Sequence, residues 1–136
     1  MDLDDAREFL RDHHRAVLVT MRRDGTPQLS PVLVGIDEEG NAVVSTRETA
    51  MKTGNLRRDP RAWLCVLSDT FFGRWLQLEG TAEVVSLPAA IEGLVAYYRG
   101  VAGEHPDWDD YRAAMERERR VLVRIHLTRA GPDHAG

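Results

Sequence analysis

The chain has 136 residues, of which 43% are hydrophobic, and it carries a formal net charge of -4 with a pI near 5.7. This length predicts a single globular domain spanning residues 1–136, with enough apolar side chains for a proper core. The acidic balance argues against nucleic acid as the main partner, and no run approaches the roughly 20 apolar residues of a membrane span.

The first part of the chain has the pattern of a helix followed by a hairpin. Residues 1–13 predict an amphipathic N-terminal helix that Asp2 can cap. Residues 16–21 and 29–36 read as strands on either side of the Asp24-Gly25 turn. Pro31 cannot donate to a strand ladder, so it marks an edge, a bulge or a point where the strand opens.

Four further strands and three short helices follow. Strands are expected at 42–46, 61–68, 74–86 and 119–129, with Gly80 at a bulge. Helices are expected at 49–58, from Pro88 onward, and after a cap at Asp107. Residues 129–136 are expected to be a flexible tail. Six strands joined largely by short turns predict a mainly β (α+β) fold, an antiparallel barrel with helices packed outside.

Common catalytic signatures do not occur in the sequence. The five histidines show no metal-ligand spacing, and the serines lie in no nucleophile elbow. Dinucleotide and phosphate-loop glycine motifs are also lacking. We therefore assign no catalytic residue and no metal, and expect any difficult chemistry to come from a bound cofactor. Cys65 stands alone in an apolar run, which favours a buried, unreactive thiol in a reducing, cytoplasmic setting.

The best candidate site is "STRETAMKTGNLRRDPRA", residues 45–62, which contains Lys52, the single lysine among 18 basic Lys and Arg side chains. Ser45 and Thr46 end a strand, and Lys52 and Asn55 follow in the next helix. Hydroxyls, free N–H groups and a compact ammonium at a helix start favour phosphate. An ordinary basic surface helix remains the alternative reading of this segment.

A second candidate is the start of the long strand at residues 74–86, "RWLQ". A tryptophan there is more often a core residue than a cofactor wall. Gln77 lies on the same face as Trp75, however, and its amide could hydrogen-bond an aromatic heterocycle lying against the strand.

The order of four segments resembles the pyridoxamine 5'-phosphate oxidase-like family, and within it the actinobacterial flavin and deazaflavin oxidoreductases. The segments are "AVLVTMRRDGTPQLSPV", "VVST…MKTGNLRRDPRAWLCV", "RWLQLEGTAEVV" and "YYRGVAGEHPDWDDYRAAM…RRVLVRI". Together they cover about residues 5 to 128.

This resemblance implies a six-stranded split β-barrel that forms a homodimer, with coenzyme F-420, or FMN as the alternative, in a groove at the interface. By analogy Lys52 and Asn55 hold the phosphate, and Ser45 and Thr46 line the phosphate or ring edge. The remaining analogous contacts are Ser30, Pro31 and Val32 along the ring, and Trp75, Leu76 and Gln77 from another strand. Many relatives carry Arg where this chain has Ala50, a loss for which Arg47 is a possible replacement.

The function expected from the resemblance is reduction of a planar unsaturated small molecule by hydride from reduced coenzyme F-420. An FMN-dependent oxidoreductase and a non-catalytic carrier of a flavin, deazaflavin or pigment are the alternatives. An oligonucleotide-binding barrel is disfavoured, because it needs stacking aromatics on a basic sheet face.

Overall fold

A computed structural model describes residues 1–135, which form four helices and seven strands. The helices are α1 (Leu3–Asp12), α2 (Met51–Arg58), α3 (Ile91–Ala102) and α4 (Trp108–Arg117). The strands are β1 (Arg15–Met21), β2 (Pro27–Leu33), β3 (Gly35–Ile36), β4 (Ala42–Arg47), β5 (Arg61–Leu67), β6 (Arg74–Val85) and β7 (Arg120–Ala135).

The strands make one antiparallel sheet in the order β2-β1-β5-β6-β7-β4-β3. Its two edges, β2 and β3, are separated in the chain by Val34 alone. Since one residue cannot span a flat seven-stranded sheet, the sheet curls until its edges approach one another. The mainly β (α+β) prediction is confirmed at this level, as a curled antiparallel sheet with four helices.

The prediction of six strands is wrong, because the expected strand 29–36 is two strands. The backbone N–H of Val34 donates to the carbonyl of His14 at 2.7 Å, and Val34 is fully buried. The chain therefore turns inward at this residue, and β3 starts a new pairing with β4.

The core fills the inner face of the curled sheet. Inward side chains alternate along each long strand, and α1 and α2 add apolar side chains to the same cluster. Its fully buried members include Leu10, Leu18, Leu56, Leu64, Leu76, Leu78, Val44, Val66 and Ile125. A second cluster lies on the opposite face of β4 and β7, where α3 and α4 cover Val43 and Leu122.

Several element predictions are confirmed. Asp2 accepts a hydrogen bond from Asp4 N at 2.7 Å, and Asp107 caps α4 by accepting from Asp110 N at 3.1 Å. The β6–β7 register shifts between Glu79 and Gly80, where the bulge was expected. Pro31 lies on β2, which is an edge strand.

Other boundaries differ from the sequence expectation. The helix expected from Pro88 begins at Ile91, after a turn. Residues 129–135, expected to be a flexible tail, continue β7 and pair with β6, while Gly136 lies outside the described residues. A bidentate ion pair holds this extension, with Arg74 Nε and Nη2 at 2.8 and 2.9 Å from the carboxylate of Asp133.

Within residues 1–135, no helix is both long and apolar enough to span a bilayer. The same residues contain no cluster of three or more His, Cys, Asp or Glu side chains arranged to hold a metal ion.

Candidate functional site

The first feature of the site is a contact between α2 and the edge strand β2. Lys52 lies in the first turn of α2, and its Nζ donates to Ser30 Oγ at 3.4 Å. No carboxylate of residues 1–135 forms an ion pair with this ammonium. Partial burial, and secondarily the charge of Arg120, hold the pKa of Lys52 below its ordinary value. The structure thus brings together two predicted site residues, with donor capacity left for an anion.

The position of Lys52 is fixed by the end of β4. Thr53 is fully buried, and its hydroxyl donates to the backbone carbonyl of Arg47 at 2.6 Å. Ala50 is the N-cap of α2 and gives no side-chain cap, so the positive end of the helix is open beside Lys52.

Asn55 belongs to a buried polar network. Its Nδ2 donates to Thr20 Oγ1 at 3.1 Å, and the Thr20 hydroxyl donates to Gln28 at 3.3 Å. Arg58 Nη2 in turn donates to Asn55 Oδ1 at 3.3 Å. These bonds tie α2 to β1 and β2. A direct contact between Asn55 and a phosphate stays a prediction. The amide of Asn55 already has protein partners on both sides, which leaves it little capacity for a ligand.

The residues predicted along the ring divide between the two faces of the sheet. Ser30 is paired in register with Leu18 and faces the interior, and Val32 is packed against the core. Leu76 is fully buried in that core, so only its backbone is available to a ligand. The side chains of Pro31, Trp75 and Gln77 lie on the outer face. Period-two alternation in the sequence carried this signal, because adjacent strand residues point to opposite faces.

The outer-face residues form rows across four strands. One row runs from Pro31 through Val17 and Cys65 to Gln77, and the next one includes Trp75. Burial raises the pKa of the Cys65 thiol, which favours an unreactive protonated sulfur. A groove of about 400 Å³ opens on this face, and we call it the outer-face groove. It is lined by Arg15, Ala16, Val17, Pro31, Val32, Leu33 and Leu67.

Ser45 and Thr46 also face opposite ways. Thr46 is 4% exposed and pairs with Val121, so it faces the core. Ser45 is half-buried on the face of β4 that α3 covers. The Tyr97 hydroxyl donates to the carbonyl of Leu33 at 2.7 Å, and burial raises its pKa. Sequence reasoning missed Tyr97, because a tyrosine on an apolar helix carries no local sign that it reaches the end of a distant strand.

This fold and site define a class of protein. The family model described as "Pyridoxamine 5'-phosphate oxidase" matches residues 3–131, and the chain belongs to that family. This match confirms the resemblance to the family that the sequence motifs indicated. The resemblance to its deazaflavin branch is confirmed by the relative described next.

The chain is 32% identical over 127 residues to the F420H(2)-dependent biliverdin reductase of Mycobacterium tuberculosis, covering 93% of this chain and 84% of that protein. Among solved structures it resembles a conserved hypothetical protein from M. tuberculosis, with TM-score 0.77 and 27% identity over 96% of this chain and 82% of that one. A structure described as an F420 reductase has TM-score 0.70 and 22% identity, covering 92% of this chain and 94% of that one, which supports the fold.

Proposed function

We propose that this chain is an oxidoreductase that binds coenzyme F-420 and transfers hydride to a planar unsaturated small molecule. The observation that carries the proposal is the Lys52 ammonium beside Ser30, with no carboxylate paired to it within residues 1–135. Removing an ammonium from water without a partner is unfavourable, so this half-buried cation favours an anionic ligand. A phosphate suits it, because a hydroxyl and an ammonium both donate to phosphate oxygens.

The site residues fit a phosphorylated cofactor with an aromatic ring. Lys52 and Ser30 would hold the phosphate, with the backbone at Ser45 and Thr46 beside it. The outer-face groove offers an apolar wall for the ring at Pro31, and Val32, whose side chain faces inward, also borders it. Trp75, Gln77 and the backbone of Leu76 lie on β6, with β1 and β5 between them and β2. We infer that they serve the groove of a second copy.

A homodimer is supported by the apolar character of the outer face. Leu29 and Leu33 are 59% and 50% exposed there, beside the half-buried Val17. Exposed apolar patches of this kind mark interfaces. We expect Leu33→Arg to give a monomer by light scattering, whereas the control Glu39→Arg, on the loop between β3 and β4, stays dimeric. A wild-type mass equal to one chain would refute the dimer.

The residues of the chain position the reactants and shield them from water, and the cofactor carries the redox chemistry. When bound, the reduced deazaflavin supplies the hydride. The groove would hold the ring against apolar side chains and exclude water from one side. No side chain of the site is an evident proton donor, so we propose that solvent supplies the proton that completes the reduction.

The relative at 32% identity is named as a biliverdin reductase, which makes a linear tetrapyrrole the first substrate to test. Activity would be monitored as oxidation of the reduced cofactor, with biliverdin and with simpler enones and quinones as substrates. A cytoplasmic setting stays the prediction that the single cysteine supports.

The test of cofactor binding is a titration of the purified protein with oxidised coenzyme F-420 and with FMN, followed by quenching of tryptophan fluorescence. We expect tighter binding of coenzyme F-420. Tighter binding of FMN, or a yellow purified protein, would support the FMN-dependent alternative. Tight binding with no turnover on the substrate panel would support a non-catalytic carrier. Binding of neither cofactor would refute the proposal.

A further inference from the structure

Three cationic residues lie near the point where β4 ends, β7 begins and α2 begins. Arg47 is the last residue of β4 and is the register partner of Arg120, the first residue of β7. The hydroxyl of Thr53 bonds to the carbonyl of Arg47, which places Lys52 beside the same strand end. We call Lys52, Arg47 and Arg120 the cation seat.

Among residues 1–135, one carboxylate is paired with this cation seat. Glu118 Oε1 accepts from Arg120 Nε and Nη2 at 3.0 and 2.8 Å, and from Arg47 Nη2 at 3.4 Å. Of two other carboxylates nearby, Glu48 is bound to Arg57 and to Ser86, and Glu116 is exposed. The three positive charges of the seat against its one paired carboxylate leave an excess of positive charge, which favours an anion.

Arg120 is better placed than Arg47 to share an anion with Lys52. The Arg120 side chain is 26% exposed, whereas that of Arg47 is 57% exposed and extends into solvent. A charge that is partly withdrawn from water acts more strongly on its neighbours. In keeping with this, burial first and then the charge of Arg120 hold the pKa of Lys52 below its ordinary value.

The start of β7 is held in an unusual conformation that fixes Arg120. Arg119 has φ of 52°, in the left-handed region that a side chain other than glycine rarely adopts. Its carbonyl accepts from Glu48 N at 2.8 Å, which ties this turn to the segment that leads into α2. Such conformations cluster at functional sites, where surrounding contacts hold them.

A ligand can reach Arg120 from solvent. The residue borders a cleft of about 590 Å³ with Ser86, Leu87, Pro88, Glu48, Glu116 and Arg119. This accessibility separates it from a purely structural arginine enclosed between helix and sheet.

We propose that Arg120 is the second cation of the phosphate site, supplying from β7 the charge that Ala50 does not supply from α2. With Lys52 it makes the protein select phosphorylated ligands over the same ring systems without phosphate. The inference rests on the proposed function for its ligand, but its anion chemistry can be tested separately.

The main experiment compares two pairs of ligands that differ only in the phosphate, FMN with riboflavin and the 5'-phosphate of the deazaflavin riboside with the riboside itself. The proteins are wild type, Arg120→Gln and the control Arg117→Gln, which removes an exposed charge from α4 that does not border the cleft. We expect Arg120→Gln to weaken binding of the phosphorylated members by roughly tenfold or more. Binding of the riboside members should stay within about twofold, and Arg117→Gln should match wild type.

A merely structural role would weaken both members of each pair equally, and that result would overturn the proposal. If Arg120→Gln fails to fold, Arg120→Lys serves as the conservative variant. It keeps the charge and should keep most of the phosphate preference, and loss of that preference in a folded Arg120→Lys protein would also count against the proposal.

A last measurement separates this inference from the proposed function. If wild type binds neither cofactor, inorganic phosphate is compared with chloride at equal ionic strength in a thermal melt. A rise in melting temperature in phosphate that Arg120→Gln abolishes would support anion binding at the cation seat, independently of the proposed function. No rise in wild type, or an equal rise in the variant, would refute it.

Discussion

Replacing Asn55 by alanine tests whether this part of α2 stabilises the fold or contacts the phosphate of a ligand. Asn55 is 5% exposed, and truncation removes the bonds to Thr20 at 3.1 Å and from Arg58 at 3.3 Å. Each such bond contributes about 1 kcal/mol, and Thr20, which is fully buried, loses its donor. We expect a loss of about 1.5–3 kcal/mol in the free energy of unfolding.

The assay is urea denaturation followed by tryptophan fluorescence, together with cofactor titration well below the unfolding transition. The slope of the unfolding free energy against urea should be unchanged. Affinity for the phosphorylated cofactor should fall by less than about threefold, since the lost bonds join α2 to β1 and not to a ligand. Lys52→Ala should behave in the opposite way, with at least about a tenfold loss of affinity and nearly unchanged stability of the free protein.

A double-mutant cycle with Thr20→Val checks the cause. If the Asn55–Thr20 bond is the main contribution, the two changes together cost less than their sum, with a coupling of about 1 kcal/mol. Full stability in Asn55→Ala, or a tenfold loss of affinity in that variant, would refute the reasoning and return Asn55 to the phosphate site.

Four other outcomes follow from the structure. Gly80→Ala should lower the unfolding free energy by about 1–3 kcal/mol, because the new Cβ would lie 2.4 Å from the carbonyl oxygen of His126; a neutral effect in urea denaturation would contradict the bulge geometry. The same change at Gly54, where no atom lies within 4 Å, should instead stabilise the protein by about 0.5–1 kcal/mol in that assay. Arg119→Gly should raise stability by about 0.5–1 kcal/mol by relieving its positive φ, and a lower melting temperature would show that its side chain matters more. Affinity for the phosphorylated cofactor should weaken as pH rises through the lowered pKa of Lys52, whereas Lys52→Arg should hold its affinity to about pH 10; parallel pH profiles would count against Lys52 as the contact.

The strands could be predicted because their signal is local. Alternating apolar residues identified the long strands, and the character of Pro31 indicated an edge. The break at Val34 could not be predicted, because it depends on a bond to His14, twenty residues earlier. The pairing of residues 129–135 with β6 could not be predicted either, because it also depends on a residue far away in the chain. "AGPDHAG" has the composition of a turn or tail, and only the distant Arg74 gives Asp133 a partner.

The site could be predicted in part. Its position at the β4–α2 junction followed from Ser45, Lys52 and the helix start. Their facing directions, and the meeting of Lys52 with Ser30, depend on how the sheet curls. Arg120 lies in a basic and apolar strand that resembles several others in this chain. Nothing in that local pattern shows that it pairs with Arg47 across the sheet.

The edge strand β2 explains how one ligand can use both faces of the sheet. Ser30 faces inward to Lys52, and Pro31, the next residue, faces the outer-face groove. A cofactor with its phosphate at Lys52 and its ring on Pro31 must therefore pass around this strand. Such a path exists only at an edge, since a central strand would be blocked by its neighbours on both sides. Pro31 helps to keep the edge open, because it offers no N–H to a further strand. The proposed function thus gives a reason for a proline in the middle of a strand, beyond its tolerance at an edge.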